Sequence, residues 1–408
     1  MNIALYHNLP SGGARRAMVE MARELAARGH TVDEWCPETA DLAFLPLDGV
    51  VRRTVVLPFR PRGVATTRVP LLTPYITAVR LAGDLRAMAA TGEQAAKRIA
   101  QENYDLVFAH DCQLVLAPDI LRFLRLPNVH YFHAGTRAGV NWYEELSPDG
   151  SLASQVKHLY YAPARMAFPR MRHRQARRNL RAVQRVLTNS HYAAAELQQD
   201  FGVTAGVCYL GVDGENFRPL GLPREPFVLS VGAVHYHKGY RFLVQALARL
   251  PEGQRPPLVI AANSVEPAEL QALHELASEL RVTFTVRQVS DESEMASLYN
   301  QAAAFVYCPI REPWGLAAVE AMACGAAVVA VGEGGVAESV VDGETGLLTS
   351  RDADAFAAAL GHVLADPALA ARLGAGGAAC ARDHFTWTAT VDCLEAHLCE
   401  AARVGAPP

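Results

Sequence analysis

No apolar run in this chain of 408 residues approaches the roughly 20 residues that a membrane-spanning helix needs. The opening "MNIALYHNLPSGG" has no basic segment and breaks at Asn8-Leu9-Pro10, so it is not expected to act as a signal peptide. The eight cysteines (Cys36, Cys112, Cys208, Cys308, Cys324, Cys380, Cys393 and Cys399) include no C-x-x-C pair and fall mostly in apolar runs. That pattern argues against a disulfide framework or a zinc site, and predicts reduced, buried thiols in a cytoplasmic protein. A Walker lysine motif, H-E-x-x-H and G-x-S-x-G are all missing, and there is neither a short repeat nor a low-complexity tract. Half of the residues are apolar and a fifth are charged, which is the balance of a globular chain long enough for two cores.

What is present is an alternation. "MNIALY", "ARRAMVEMARELAARG" and "HTVDEWC" read as a strand, an amphipathic helix and a strand, and further strands are expected at 105–110, 128–134 and 185–190. The rhythm resumes with strands at 226–234, 257–263, 282–289, 304–310 and 326–332. Helices are expected at 239–250, 267–280, 291–303 and 315–324, and a long Ala-rich helical region from Asp352. Alternating strand and helix predicts an α/β chain with two doubly wound parallel sheets. The break is expected in "GVDGENFRPLGLPREP" (211–226), which is rich in Gly and Pro and has no periodicity. The expected domains are therefore 1–210 and 211–385, with a helix at about 386–408 packing back on the first. The carboxyl ends of two facing sheets are expected to line one cleft.

The densest chemistry lies in "EPWGLAAVE" (312–320), which runs on into "AMACG". Glu312 falls in the loop after a buried strand, and Glu320 falls in the second turn of the helix that follows. Between them the unpaired N–H groups of the first helical turn, with the positive end of the dipole behind them, suit an anion. A ligand with an anionic middle and hydroxylated ends fits, the phosphates taking the amides and the carboxylates accepting from sugar hydroxyls. The plainer reading of the same residues is an N-terminal cap and a solvated helical glutamate.

In order along the chain, "SGGARRAMVEMARELAARGH", "YFHAGTR", "LTNSHYAAAEL", "YLGVDGENFRP", "VGAVHYHKGYRFLVQAL", "VSDESEMASLYNQAAAFVYCPI" and "GGVAESVVDGETGLL" surround that segment. The ordered series over some 350 residues resembles the retaining glycosyltransferases of family 4, which have the GT-B fold of two Rossmann-like domains. The resemblance implies a sugar moved from a nucleotide-diphosphate donor to a hydroxyl acceptor with retention, without metal or organic cofactor. It implies that Glu312 binds hydroxyls of the transferred sugar with the backbone of Trp314, Gly315 and Leu316, and that Glu320 binds ribose. It further implies that Lys238 neutralises the leaving diphosphate, that Gly12 and Gly13 allow close approach of substrates, and that His133 works at the reacting face. The family pairs the lysine with an arginine five residues earlier. Here that position is Ala233, leaving His235, His237 or Arg241 as stand-ins. That departure keeps open a sugar-nucleotide-binding protein without turnover; a phosphorylase or nucleotide-sugar epimerase on the same fold is the enzymatic rival.

"DAD" (352–354) imitates a metal-binding D-x-D but opens a helical run, where Asp is an ordinary cap. "GEGGVAE" (332–338) lacks the dinucleotide spacing. Residues 157–185 carry nine Lys or Arg and no acid, and residues 49–83 carry six Arg and no acid. From Pro169, read as a first helical residue, Arg170, Arg174, Arg177, Arg178, Arg181 and Arg185 project onto one face. A solvated helix face is the plain explanation. The functional ones are a phosphorylated or lipid-linked acceptor, or peripheral contact with an anionic membrane at its cytoplasmic side. Nucleic acid is not expected, since no interleaved aromatics or known module appear.

Overall fold

In a computed structural model of the chain, the structure describes residues 1–65, 69–133, 152–289 and 291–405. It divides into two compact units. The first comprises Met1–Thr188, Ala194–Cys208 and Val391–Pro408; the second comprises Asn189–Ala193 and Tyr209–Thr390.

The first sheet is built from β1 (Asn2–Asn8), β2 (Thr31–Pro37), β3 (Arg53–Leu57), β4 (Leu106–Cys112), β5 (Asn128–Phe132), β6 (Arg185–Thr188) and β7 (Ala205–Val207). All are parallel, in the order β3-β2-β1-β4-β5-β6-β7. The helices α1 (Gly13–Ala27), α2 (Thr73–Ile99), α3 (Leu152–Leu180) and α4 (His191–Phe201) connect them. β4 is buried along its whole length, as a central parallel strand covered on both faces must be. Helix α1 buries Met18, Met21, Ala22 and Leu25, spaced at i, i+3, i+4 and i+7, so one apolar stripe faces the sheet.

The second sheet has the order β10-β9-β8-β11-β12-β13, again parallel. Its elements run β8 (Glu225–Val231), α5 (Tyr240–Leu247), β9 (Leu258–Ala262), α6 (Pro267–Leu280), β10 (Phe284–Gln288), α7 (Glu292–Gln301), β11 (Ala302–Tyr307), α8 (Leu316–Ala323), β12 (Val328–Val331), α9 (Val336–Ser339) and β13 (Leu347–Thr349). The Ala-rich region becomes three helices, α10 (Ala353–Ala365), α11 (Pro367–His384) and α12 (Trp387–Val404). Asp352 caps α10, its carboxylate accepting from the Ala355 amide at 2.8 Å, and Asp366 caps α11 in the same way. Among the described residues no single helix is long and apolar enough to cross a membrane.

Each sheet reverses its strand order once, between β1 and β4 and between β8 and β11. Ligands of open parallel sheets bind at the carboxyl ends of the strands flanking such a reversal.

From Val391 onward, α12 belongs to the first unit, and polar contacts hold it there. Arg28 pairs with Asp392 and Glu395 at 2.8 and 2.9 Å, His30 with Glu395 at 2.8 Å, and Arg185 with Glu400 at 2.9 Å. This return brings Cys393 onto Cys208 in a disulfide with Cα atoms 5.8 Å apart. The expectation of uniformly reduced thiols is thus corrected at one pair. The partners lie 185 residues apart, and no spacing rule reaches that far. The other six cysteines are free, and Cys36, Cys112, Cys308 and Cys324 are buried. Peptide mapping without reductant is expected to recover the Cys208–Cys393 link. Cys393→Ser is expected to cost about 2–4 kcal/mol of stability, because a long loop in the unfolded chain is no longer closed. A melting curve unmoved by dithiothreitol would contradict this.

Candidate active site

The second unit carries the Glu312 segment. β11 ends at Tyr307, and the chain turns through Cys308 to Gly315 before α8 starts. The loop is fixed from several sides. Arg351 donates to the carbonyls of Cys308 and Pro309 at 3.0 and 2.7 Å. The Ser190 hydroxyl donates to the Pro313 carbonyl at 2.5 Å, and the Gly335 amide to the Glu312 carbonyl at 2.9 Å. Trp314 is buried and stacked on Tyr209, ring centroids 5.0 Å apart, and its indole N–H finds no acceptor among the described residues. Gly315 sits at φ +117°, where a side chain would be strained and would meet the Tyr307 hydroxyl at 3.1 Å. No side chain caps α8; the Ala318 amide donates back to the Gly315 carbonyl at 2.9 Å, which leaves the Leu316 and Ala317 amides at the helix start for a ligand.

Lys238, at the end of the short helical turn Tyr236–Lys238 in the loop that follows β8, comes to the same place. Its Nζ donates to both oxygens of Glu312 at 2.7 and 2.9 Å, and the Tyr307 hydroxyl donates to Oε2 at 2.8 Å. Burial pushes the Glu312 carboxyl up, but Lys238 and Tyr307 more than offset that and hold it below the usual carboxylate range. The two residues expected to touch phosphate and sugar separately are therefore one ion pair. β8 and β11 are neighbours in the sheet, so their carboxyl-terminal loops adjoin although 74 residues separate the pair. Glu320 lies inside α8, 7% exposed, its Oε2 accepting from the Tyr299 hydroxyl at 2.8 Å.

Of the stand-ins for the missing arginine, Arg241 is committed elsewhere. Its fork grips Glu269, through Nε to Oε1 at 3.0 Å and through Nη2 to Oε2. His235 and His237 stack on each other beside Lys238, with centroids 4.9 Å apart.

In the first unit, Gly12 caps and Gly13 opens α1, after the short loop that leaves β1 at Asn8. Gly12 has φ +134°, which favours glycine on backbone grounds alone, and a Cβ at either position meets no atom within 4 Å. His133 follows β5 directly and is 6% exposed. Its amide donates to Asp111 Oδ2 at 2.9 Å, and its Nε2 shares a 2.7 Å hydrogen bond with His110 Nδ1. The rest of "YFHAGTR", from Ala134, lies outside the described residues, as does Arg68. Sequence reasoning missed His110 and Asp111, although "HDC" ends a buried strand and polar residues there are a usable signal.

The arginine stripe is corrected in two respects. α3 starts at Leu152 and contains Pro163 and Pro169, so Pro169 does not open the helix. A periodic pattern that continues on both sides of a proline can be read as starting there, and here the chain stays helical through it. α3 also ends at Leu180, and Arg185 lies on β6, hydrogen-bonded to His397. Arg170, Arg174, Arg177, Arg178 and Arg181 are all exposed, and no ion pair is found for them among the described residues.

The sequence pattern described as Glycosyltransferase Family 4 matches residues 11–216, half of the chain, and that of Glycosyl transferases group 1 matches residues 213–379. The chain belongs to glycosyltransferase family 4. A D-inositol 3-phosphate glycosyltransferase of Streptomyces bingchenggensis is 30% identical over 289 residues, which are 64% of this chain and 63% of that one. The same-named protein of Nocardiopsis dassonvillei is 30% identical over 416 residues, covering 94% and 88%. Sucrose-phosphate synthase from Thermosynechococcus elongatus superposes with TM-score 0.72 at 22% identity, over 99% of this chain and all of the other. Anabaena HepE, solved with UDP-glucose, gives 0.67 at 20% identity over 98% and 99%. These structures establish that the family 4 chain has the GT-B fold.

Proposed function

We propose that this glycosyltransferase moves a sugar from a nucleotide-diphosphate sugar to a hydroxyl acceptor, with retention at the anomeric carbon and without a metal ion. The Lys238–Glu312 pair, beside the uncapped start of α8, carries the reading. The donor's diphosphate would take the α8 amides and draw Lys238 towards it, and the Glu312 carboxylate, so released, would accept from sugar hydroxyls. Positive charge fixed where the leaving phosphate gains negative charge is the largest lever available to such a site. Glu312 has both oxygens engaged by neighbours, which suits hydroxyl binding better than covalent attack. In retaining transfer of this kind the acceptor attacks from the face the phosphate leaves, and the departing phosphate oxygen takes the acceptor's proton. Two of the relatives named above act on an inositol phosphate according to their names, and a structural neighbour was solved with UDP-glucose. Both support a nucleotide-sugar donor and an anionic or hydroxylated acceptor here.

A panel of nucleotide sugars in a thermal-shift assay is expected to single out the donor, which stabilises the fold by mass action. That donor should then release nucleoside diphosphate, and should continue to do so in excess EDTA. Saturable binding without released nucleotide would mean a binding protein. Activity lost in EDTA and restored by magnesium or manganese would mean that a metal holds the phosphates.

The exposed arginines of α3 support peripheral contact with an anionic membrane from the cytoplasm, or with an anionic acceptor. Apolar side chains lie bare on neighbouring helices, with Val79 of α2 and Leu159 of α3 about three-quarters exposed. Each arginine near such a surface is worth about 1 kcal/mol, screened over a Debye length of about 8 Å at physiological salt. Binding to vesicles is therefore expected only with anionic lipid and is expected to weaken as salt rises. Arg174→Gln, Arg177→Gln and Arg181→Gln together should release the protein while sparing donor hydrolysis. Indifference to anionic vesicles at low salt, with full activity of the triple variant, would return the stripe to a solvated face.

A further inference from the structure

The order of the second sheet sets four loops in a row at its carboxyl end, those that follow β8, β11, β12 and β13. Arg351, two residues beyond β13, reaches the loops of the two strands next in. Its Nε and Nη2 both meet Oε2 of Glu333, just past β12, at 3.0 and 2.9 Å. Nη1 donates to the Cys308 carbonyl at 3.0 Å and Nη2 to the Pro309 carbonyl at 2.7 Å, directly after β11. The guanidinium also lies over the Phe242 ring of α5, 5.3 Å from its centroid. The loop after β8 presses on the same group. A Cβ at Gly239, the residue after Lys238, would lie 2.1 Å from the Cys308 carbonyl oxygen and 3.3 Å from Arg351 Nη1.

The need for such a group follows from the sheet. The ladder from β11 to β8 stops at Phe305 and the one to β12 stops at Tyr307. The carbonyls of Cys308 and Pro309, both buried, therefore take their donors from outside the sheet. A planar fork with donors along two edges serves two successive carbonyls and a carboxylate in one fixed geometry, which an ammonium on a flexible stem does not. Directly downstream the Ile310 amide donates to the His237 carbonyl at 2.8 Å, Arg311 turns the chain at φ +51°, and Glu312 follows. The approach to Glu312 is thus set at residues 308–310. Helix α8, which carries the Leu316 and Ala317 amides and Glu320, is held separately by its buried Ala318, Val319, Ala321 and Met322.

We propose that Arg351 is a positioning residue for sugar transfer, with Glu333 orienting its guanidinium. It fixes the chain that delivers Glu312 and leaves the nucleotide to α8. This rests on the reading that Glu312 binds the transferred sugar.

Steady-state kinetics beside isothermal titration test it. Arg351→Met is expected to lower kcat for the sugar nucleotide by roughly 10- to 100-fold, the cost of a misplaced reacting-centre group. Free nucleoside diphosphate should bind within about threefold of the wild type, because the α8 amides stay in place. Arg351→Lys keeps the charge without the fork and should stay nearer to Arg351→Met than to the wild type. In a Glu312→Ala background, Arg351→Met should add less than about a threefold further loss, since the group it positions is gone. Wild-type kcat in Arg351→Met, equal losses on both ligands, full activity in Arg351→Lys, or losses that multiply in the double variant would each overturn the proposal. Where Arg351→Met does not fold, Arg351→Lys and Glu333→Ala carry the same comparison, and wild-type kcat in both would overturn it. Full turnover in Glu312→Ala alone would instead refute the sugar-binding role of Glu312, a result that no Arg351 variant can mimic.

Discussion

Glu312→Ala is expected to lower turnover of the sugar nucleotide by roughly 100-fold or more, the usual cost of losing a group that contacts the reacting centre. Free nucleoside diphosphate should bind as well as before or more tightly. The reason is the ion pair: in the resting protein both Glu312 oxygens hold Lys238, and removing the carboxylate leaves the ammonium to the phosphates. Glu320→Ala should behave differently. That carboxylate is set inside α8 against Tyr299, and in the proposed role of ribose ligand it should be needed for nucleoside diphosphate and sugar nucleotide alike. Isothermal titration with both ligands, beside steady-state kinetics, separates the two. Equal losses from both substitutions on both ligands would dissolve the proposed division between sugar and ribose.

Gly335→Ala is expected to damage the site from behind. Its backbone, at φ −71°, would accept a side chain, so only space forbids one. A Cβ there would lie 2.0 Å from the Pro313 carbonyl oxygen and 2.8 Å from Trp314 Cα, both backbone atoms that cannot turn aside. At Gly334 the same contact falls on the Glu312 carbonyl oxygen at 2.2 Å, with φ +77° adding strain. The loop bearing Glu312 must move to admit either methyl. Overpacking of this kind costs about 1–3 kcal/mol, and displacement of a catalytic loop by an ångström can cost about 100-fold in rate. Gly253→Ala, which meets nothing within 4 Å, is the control and should be neutral. Wild-type kcat in Gly335→Ala would show that the loop is not held by this contact.

The "GEGGVAE" segment illustrates how much of the site was legible. Its glycines are visible in the sequence, but their spacing fits no dinucleotide turn and names no other partner. Their work is to let one loop lie against another, which only the packed structure reveals. Arg185 is a similar case: helical projection placed it with Arg181, yet the helix stops at Leu180 and the next apolar run becomes β6. Helix α2, with 27 residues, is hidden in the sequence, because its apolar stripe is diluted by exposed Ile76 and Val79.

By itself the sequence determined the alternation of strand and helix, hence two parallel sheets, and the positions of Glu312 and Glu320 at a strand end and a helix interior. These follow from local periodicity and from the turn chemistry of Pro313 and Gly315, which need no distant partner. It also carried the ordered motifs by which the family is known. The tertiary structure alone decided that Lys238 neutralises Glu312, that Cys208 meets Cys393, that Arg241 is spent on Glu269, and that His110 addresses His133. Each of these pairs joins elements that the sheet order or a returning helix makes adjacent. β8 lies beside β11 although β9 and β10 intervene along the chain, and α12 comes back to the unit where the chain began. A repeating pattern tells which face of an element is buried, but the neighbour that covers it is chosen by the packing of all the elements at once.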